Sequence, residues 1–252
     1  MVDQQLWAAL REATQRRHDR SFTKVWPLVT QELKKIDGTL DGRNVQDEPA
    51  LISLAADASI ANETRARVCW ILGRAGIRAA IETLLGVASD NAADLRAAAI
   101  HVLGELEGQR ALTVLPTAAQ TDPEPEVRYE AVYSLQNFDG KRSADVLLSV
   151  FNNHNELPSV RGQAAESLAN LGYSRSTKRA VPALRQALAE PSAEIRFWSA
   201  YALGYLGTAE VFEDLERLFD DSAVVEPFGS VGDEARTAIE TIRQFTQSRS
   251  GG

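Results

Sequence analysis

Six stretches of the chain repeat one arrangement of apolar and polar positions. Each opens with an arginine that a small or apolar residue precedes: Arg65, Arg96, Arg128, Arg161, Arg196 and, more weakly, Arg236. Small or apolar residues recur three, four, six and seven places later, which is one wide apolar face at α-helical spacing. The arginines step by 31, 32, 33, 35 and 40 residues. Such a step holds two short helices and two turns. Many face residues are alanine, as at Ala98, Ala99, Ala164, Ala165 and Ala200, so neighbouring helices can approach closely.

A second apolar pattern lies upstream of each arginine helix, at 79–88, 112–119, 146–151, 183–188 and 211–219. Between the two helices stand Ser89-Asp90, Asp122-Pro123, Asn155 and Glu190-Pro191, expected to start the second helix by capping or by a fixed dihedral. Glycines near the helix ends (Gly73, Gly104, Gly204) and three residues on (Gly76, Gly172, Gly207) are expected to supply left-handed stops. No sustained period-two alternation occurs, so no strand is expected.

The segments Asp122-Pro123-Glu124-Pro125-Glu126-Val127-Arg128 and Leu203-Gly204-Tyr205-Leu206-Gly207 resemble the HEAT-like repeats of the phycobilin lyase type. The resemblance covers roughly residues 48–246. It implies an all-α fold, a right-handed α-solenoid of about six helical hairpins whose second helices line a concave surface. Repeats of this kind also serve regulators, adaptors, immunity-type inhibitors and chaperones, so the repeat alone names no activity.

The ends differ from the middle. Residues 1–36 read as two capping helices with Trp7, Leu10, Phe22, Trp26, Leu28 and Leu33 turned inward, and the polar stretch 37–48 reads as a loop. The expected division is an N-terminal helical cap and loop over 1–47, the repeats over 48–247, and a disordered tail over 248–252. Residues 220–231 lengthen the turn in the last repeat and explain its longer step.

Composition narrows the function. Hydrophobic residues make up 44% and charged residues 25% of 252, an ordinary globular balance. No apolar run is long enough to span a membrane, and the first residues carry no basic-then-apolar signal, so a cytoplasmic protein is expected. One cysteine, Cys69, excludes an intrachain disulfide and a cysteine-built metal site. A net charge of -8 argues against nucleic acid as partner. Residues 1–48 hold eight basic and eight acidic side chains. Residues 208–240 hold ten acids against Arg217 and Arg236, a difference of eight that equals the whole net charge and could draw a basic partner to the last repeat.

The repeated arginine is expected to be structural, pairing with turn acids or carbonyls of an adjacent repeat. The informative positions lie one, five and nine places after it, along one stripe of the second helix. They include Trp70, Arg74, His101, Glu105, Tyr129, Tyr133, Glu166, Phe197, Tyr201 and Tyr205, the candidate partner-binding residues, with Phe245 beyond them. Seven of the chain's aromatic residues fall on this stripe, where a solvated helix would carry charge. Aromatic rings on an open groove suit recognition of a peptide, a partner helix or a flat conjugated ligand. The opposing expectation is that some rings pack between repeats, above all Phe197 and its neighbour Trp198.

No G-x-S-x-G, P-loop, HExxH or paired cysteine is found, so no catalytic residue, metal ligand or cofactor is assigned. His101 and Glu105 have metal-ligand spacing but read as an ordinary surface pair, and Cys69 reads as inert. The expected function is a non-catalytic scaffold holding a protein or peptide, with two alternatives: a phycobilin lyase subunit or pigment-protein chaperone, and an immunity-type inhibitor.

Overall fold

A computed structural model describes residues 22–36, 48–106 and 108–250. These residues form thirteen α-helices and one two-stranded hairpin. The chain divides into two compact units, Met1–Ala118 and Ala119–Gly252.

In the first unit, α1 (Phe22–Ile36) packs on α3 (Asn62–Arg74), which α2 (Glu48–Ala56) precedes. A short 3-10 turn leads into α4 (Ile81–Val87), followed by α5 (Ala93–Glu105). Helix α3 lies against α5 and α2 against α4, giving two layers around Leu51, Leu72, Leu84 and Leu103. Leu33 of α1 is buried as expected. Trp7 and Leu10 lie outside the described residues, as do the side chains of Phe22 and Trp26. The division between the units falls within α6 (Leu115–Thr121).

The second unit continues with α7 (Pro125–Leu135), α8 (Lys141–Phe151), α9 (Pro158–Asn170), α10 (Val181–Ala187), α11 (Ala193–Leu206), α12 (Phe212–Glu216) and α13 (Val231–Ser250). Its second helices form a row: α9 lies between α7 and α11, and α11 packs in turn on α13. Helix α13 runs on through Ser248–Ser250, which the sequence leaves outside the repeats. The long turn at 220–231 is more ordered than expected. It contains β1 (Val224–Val225) paired antiparallel with β2 (Gly229–Ser230).

Arg65, Arg128, Arg161 and Arg196 each tie a hairpin to the next, and the arginines bind carbonyls in two geometries. Arg65 and Arg161 donate from Nε to a carbonyl ten residues back, Ala55 O at 3.0 Å and Phe151 O at 2.8 Å, near the end of the preceding helix. Those carbonyls would otherwise be orphaned. Their guanidinium groups then reach the next turn: Arg65 pairs with Asp90 at 3.1 Å, and Arg161 holds Glu190 through both terminal nitrogens at 2.8 and 2.6 Å. Arg96, Arg128 and Arg196 instead donate from Nη1 to carbonyls six and five residues back, Asp90 and Asn91, Asp122 and Pro123, Glu190 and Pro191. Arg128 also clasps Glu156 through two nitrogens, and Arg196 binds Asp221 at 2.7 Å. Only a planar, multi-donor guanidinium can serve a carbonyl and a carboxylate together.

Two local expectations are corrected. The turn acids are not N-caps. Asp90, Asp122 and Asp221 accept instead from the backbone N–H two residues on, folding the turn ahead of the helix. Two serines cap second helices by their side chains: Ser192 accepts from Ile195 N, and Ser230 accepts from Asp233 N. The glycines also divide by role. Gly76 and Gly172 have positive φ and end their helices as expected. Gly207 does not, with φ -80°. Gly73 and Gly204 are contact points, where an added Cβ would lie 2.9 Å from Val102 and 3.1 Å from the Ala238 backbone.

Replacing Arg161, whose side chain is 6% exposed, with Met strands Glu190 and the Phe151 carbonyl. The expected loss is about 3 kcal/mol of unfolding free energy by urea titration. The exposed Arg217–Glu213 pair is the control: Arg217→Ala should cost under about 0.5 kcal/mol.

Candidate functional site

The candidate residues separate by unit. In the first unit, α3 and α5 bring Trp70, Arg74, His101 and Glu105 together, with Arg74 and His101 on one Glu105 oxygen while its other oxygen is buried without a hydrogen bond. The Trp70 and His101 rings lie 4.4 Å apart. Arg74 and His101 approach the same Glu105 oxygen at 3.2 and 3.6 Å. Burial pushes the Glu105 carboxyl up, but the hydrogen bond from His101 and the charge of Arg74 outweigh it and leave its pKa below the usual range. His101 and Glu105 are therefore a part-buried clasp rather than a surface pair, because the Trp70 ring and the close approach at Gly73 cover them. Cys69 is buried, and its thiol is pushed up to about 12 by desolvation. No group of residues able to hold a metal ion is found among the described residues.

In the second unit the rings form a connected row. Trp198 stands edge-on to Tyr201 at 5.4 Å, Tyr201 lies 5.0 Å from Tyr205, and Tyr205 lies 6.0 Å from Phe245 on α13. Such offset and tilted pairs suit the ring quadrupoles. The Trp198 indole lies over Gly162 of α9, where an added Cβ would stand 2.6 Å from its Cδ1. Gly162 thus makes room for the largest ring of the row. Tyr129, Tyr133, Tyr205 and Phe245 are exposed, and Tyr201 is half-buried.

Phe197 does not belong to the exposed stripe. It is 3% exposed, because Phe228 at the tip of the β1–β2 hairpin lies over both Phe197 (6.0 Å) and Trp198 (5.0 Å). Phe228 itself is 58% exposed and closes one end of the row. Sequence reasoning missed it because its position depends on a turn outside the repeat pattern.

Three carboxylates share this face. Glu166 of α9 influences both Tyr129 and Tyr201, Glu194 of α11 influences Tyr129, and Glu234 of α13 influences Tyr201. Burial raises the pKa of each, for Glu234 to about 7. Burial likewise raises the Tyr201 phenol, with a hydrogen bond shared with Tyr205 adding to it. Glu194 and Glu234 were absent from the predicted stripe. Both stand two residues before their arginines, so extending the stripe one turn upstream would have found them.

Because burial holds the Glu234 proton more tightly in the folded chain, stability should fall as pH rises from about 4.5 to about 7. Glu234→Gln removes that penalty. After allowance for its partial exposure, the variant should be about 1 kcal/mol more stable at pH 8, or ~3 °C in melting temperature, and equal to wild type at pH 4. Calorimetry at the two pH values checks this.

Comparison with known proteins places the repeats. The model for HEAT repeats matches residues 48–136, 117–178 and 144–226. A curated relative, an uncharacterised phycocyanin operon protein Y of Pseudanabaena tenuis, is 27% identical over 155 residues, which are 58% of this chain. The match spans 36% of that relative's length. A solved structure of the complex of CpcE and CpcF of phycocyanin lyase from Nostoc sp. PCC7120 has a similar fold. Its TM-score is 0.57 at 20% identity, over 79% of this chain and 77% of that one. A designed armadillo repeat protein aligns with TM-score 0.50 at 20% identity, over 86% and 99%. The chain belongs to the HEAT-repeat family.

Proposed function

We propose that the chain is a non-catalytic repeat scaffold that holds a partner protein or peptide on the exposed face of its second helices. The aromatic row of the second unit carries this reading. Tyr133, Tyr205 and Phe245 are all exposed on helices whose opposite apolar faces are buried. Large rings with few rotatable bonds lose little entropy on being covered. Trp70, Arg74, His101 and Glu105 contribute a smaller, internally paired surface in the first unit.

The basic partner expected at the acidic last repeat takes a narrower form. Glu213 and Asp214 pair with Arg217, Asp214 also with Arg185, Asp221 with Arg196 and Asp233 with Arg236. Four of the ten acids in this region are thus held by arginines, and Glu234 lies on the aromatic face.

A second reading, a phycobilin lyase subunit or pigment-protein chaperone, is supported by the likeness to the phycocyanin operon protein and to the CpcE and CpcF complex. Here the aromatic row would lie along a conjugated tetrapyrrole. Among the described residues, no helix is long and apolar enough to cross a membrane.

One comparison separates the two readings. Wild type and a Trp70→Ala, Tyr133→Ala, Tyr201→Ala variant are used as bait in lysate of the source cells, with helicity checked by circular dichroism. The scaffold reading expects a protein captured by wild type and depleted at least ten-fold from the variant. Equal capture by both overturns the assignment of the face. A red-shifted bilin absorption, on wild type alone, would favour the lyase reading.

A further inference from the structure

The aromatic face of the second unit combines exposed rings with part-buried carboxylates that no cation among the described residues neutralises. At the turn edge three part-buried acids each have a cation: Glu156 with Arg128, Glu190 with Arg161, Asp221 with Arg196. Asp145 lies with Lys141 and Arg179. Glu166, Glu194 and Glu234 form no ion pair among the described residues. Glu166 takes only a hydrogen bond from the neutral Gln163.

The sequence leaves no cation on the face to neutralise them. For Arg128, Arg161, Arg196 and Arg236, the positions two before and one, five and nine after contain no lysine or arginine. Glu194 and Glu234 occupy the first turn of their helices, where the helix dipole favours an acid. Glu166 stands in the middle of α9, where no such local reason exists. Its burial pushes against the charged form, as it does for the other two. A cation laid among these carboxylates would relieve that cost, and flanking tyrosine faces would add cation–π attraction.

Resting on the scaffold reading, we propose that the face of α7, α9, α11 and α13 accepts a basic segment of a partner protein, whose lysine or arginine side chains enter among Glu166, Glu194 and Glu234 between the tyrosine rings. A segment fits better than a small cation. The three carboxylates stand on three successive helices, and packed helices lie about 8–10 Å apart. One small ion cannot serve them together. An extended chain presents same-side residues at intervals of about 7 Å and can place successive side chains along such a row.

The full-length chain is titrated calorimetrically, at low salt and pH 8, with an end-blocked eight-residue peptide of alternating lysine and alanine. The glutamine-for-lysine counterpart and free lysine amide are run beside it. The expected result is saturable one-to-one binding of the lysine peptide alone, weakened by added salt. The Glu166→Gln, Glu194→Gln double variant should bind at least ten-fold more weakly. Glu210→Gln with Glu216→Gln, on exposed acids of the last repeat, should leave affinity within two-fold.

Equal loss in both double variants, or no loss in either, would overturn the proposal in favour of general attraction to an acidic protein. Lysine amide binding as tightly as the peptide would overturn the segment as occupant. If the glutamine peptide binds equally well and loses affinity in Tyr133→Ala, Tyr201→Ala, the cation inference fails while the scaffold reading stands. If neither peptide binds, the cation inference fails, and the scaffold reading rests on the capture comparison.

Discussion

The fold depends on an arginine that joins two hairpins at once. Apolar burial stacks the second helices, but a flat alanine-rich face leaves their register weakly set. The guanidinium supplies that register. Arg161 binds the Phe151 carbonyl behind it and the Glu190 carboxylate ahead of it, while Arg128 binds the Asp122 and Pro123 carbonyls and Glu156. A buried charge is costly unless fully paired, so a slipped repeat would strand both the arginine and its acid. The two geometries differ in which carbonyls lie behind the guanidinium. Arg128 and Arg196 meet those of their own turns, Asp122-Pro123 and Glu190-Pro191. Arg65 and Arg161 meet the end of the preceding helix.

This arrangement sorts the charges of the second unit. Arginines and their partner acids gather along the turn edge and neutralise one another. The opposite stripe of the same helices is freed from that duty. Glycine makes the stripe possible: Gly162 admits the Trp198 indole, and Gly204 lets α11 approach α13, which brings Tyr205 within 6.0 Å of Phe245. The outcome is a packed but partly exposed aromatic row with carboxylates left unpaired beside it. In the first unit the equivalent positions spend their charge on a clasp, with Arg74 and His101 both on Glu105.

Features repeated with the period of the chain were legible in the sequence. The arginines, the apolar face and the aromatic stripe recur at fixed offsets, and the helices sit where those offsets put them. Features that break the period were not. Phe197 lies on the predicted stripe yet is buried, since a hairpin with no counterpart elsewhere drops Phe228 onto it. The turn aspartates resemble N-caps in sequence but act two residues earlier, because the helix starts on the following residues rather than on the aspartate itself. Glu194 and Glu234 fall outside the predicted stripe, because it starts at the arginine instead of one turn before it. The His101–Glu105 pair was legible from its spacing, but the contact of Arg74 with the same carboxylate was not, since it depends on how closely Gly73 lets α3 and α5 approach.

The central claim is that the arginine ladder holds the repeats while the stripe across the same helices does the binding. Nuclear magnetic resonance can follow both in one sample, with labelled tyrosine rings and arginine Nε–H groups, as the lysine peptide is added. The account predicts that Tyr129, Tyr133, Tyr201 and Tyr205 shift progressively to saturation while the Nε–H signals of Arg128, Arg161 and Arg196 stay fixed. Shifts confined to the arginine signals, with the tyrosines unmoved, would contradict it.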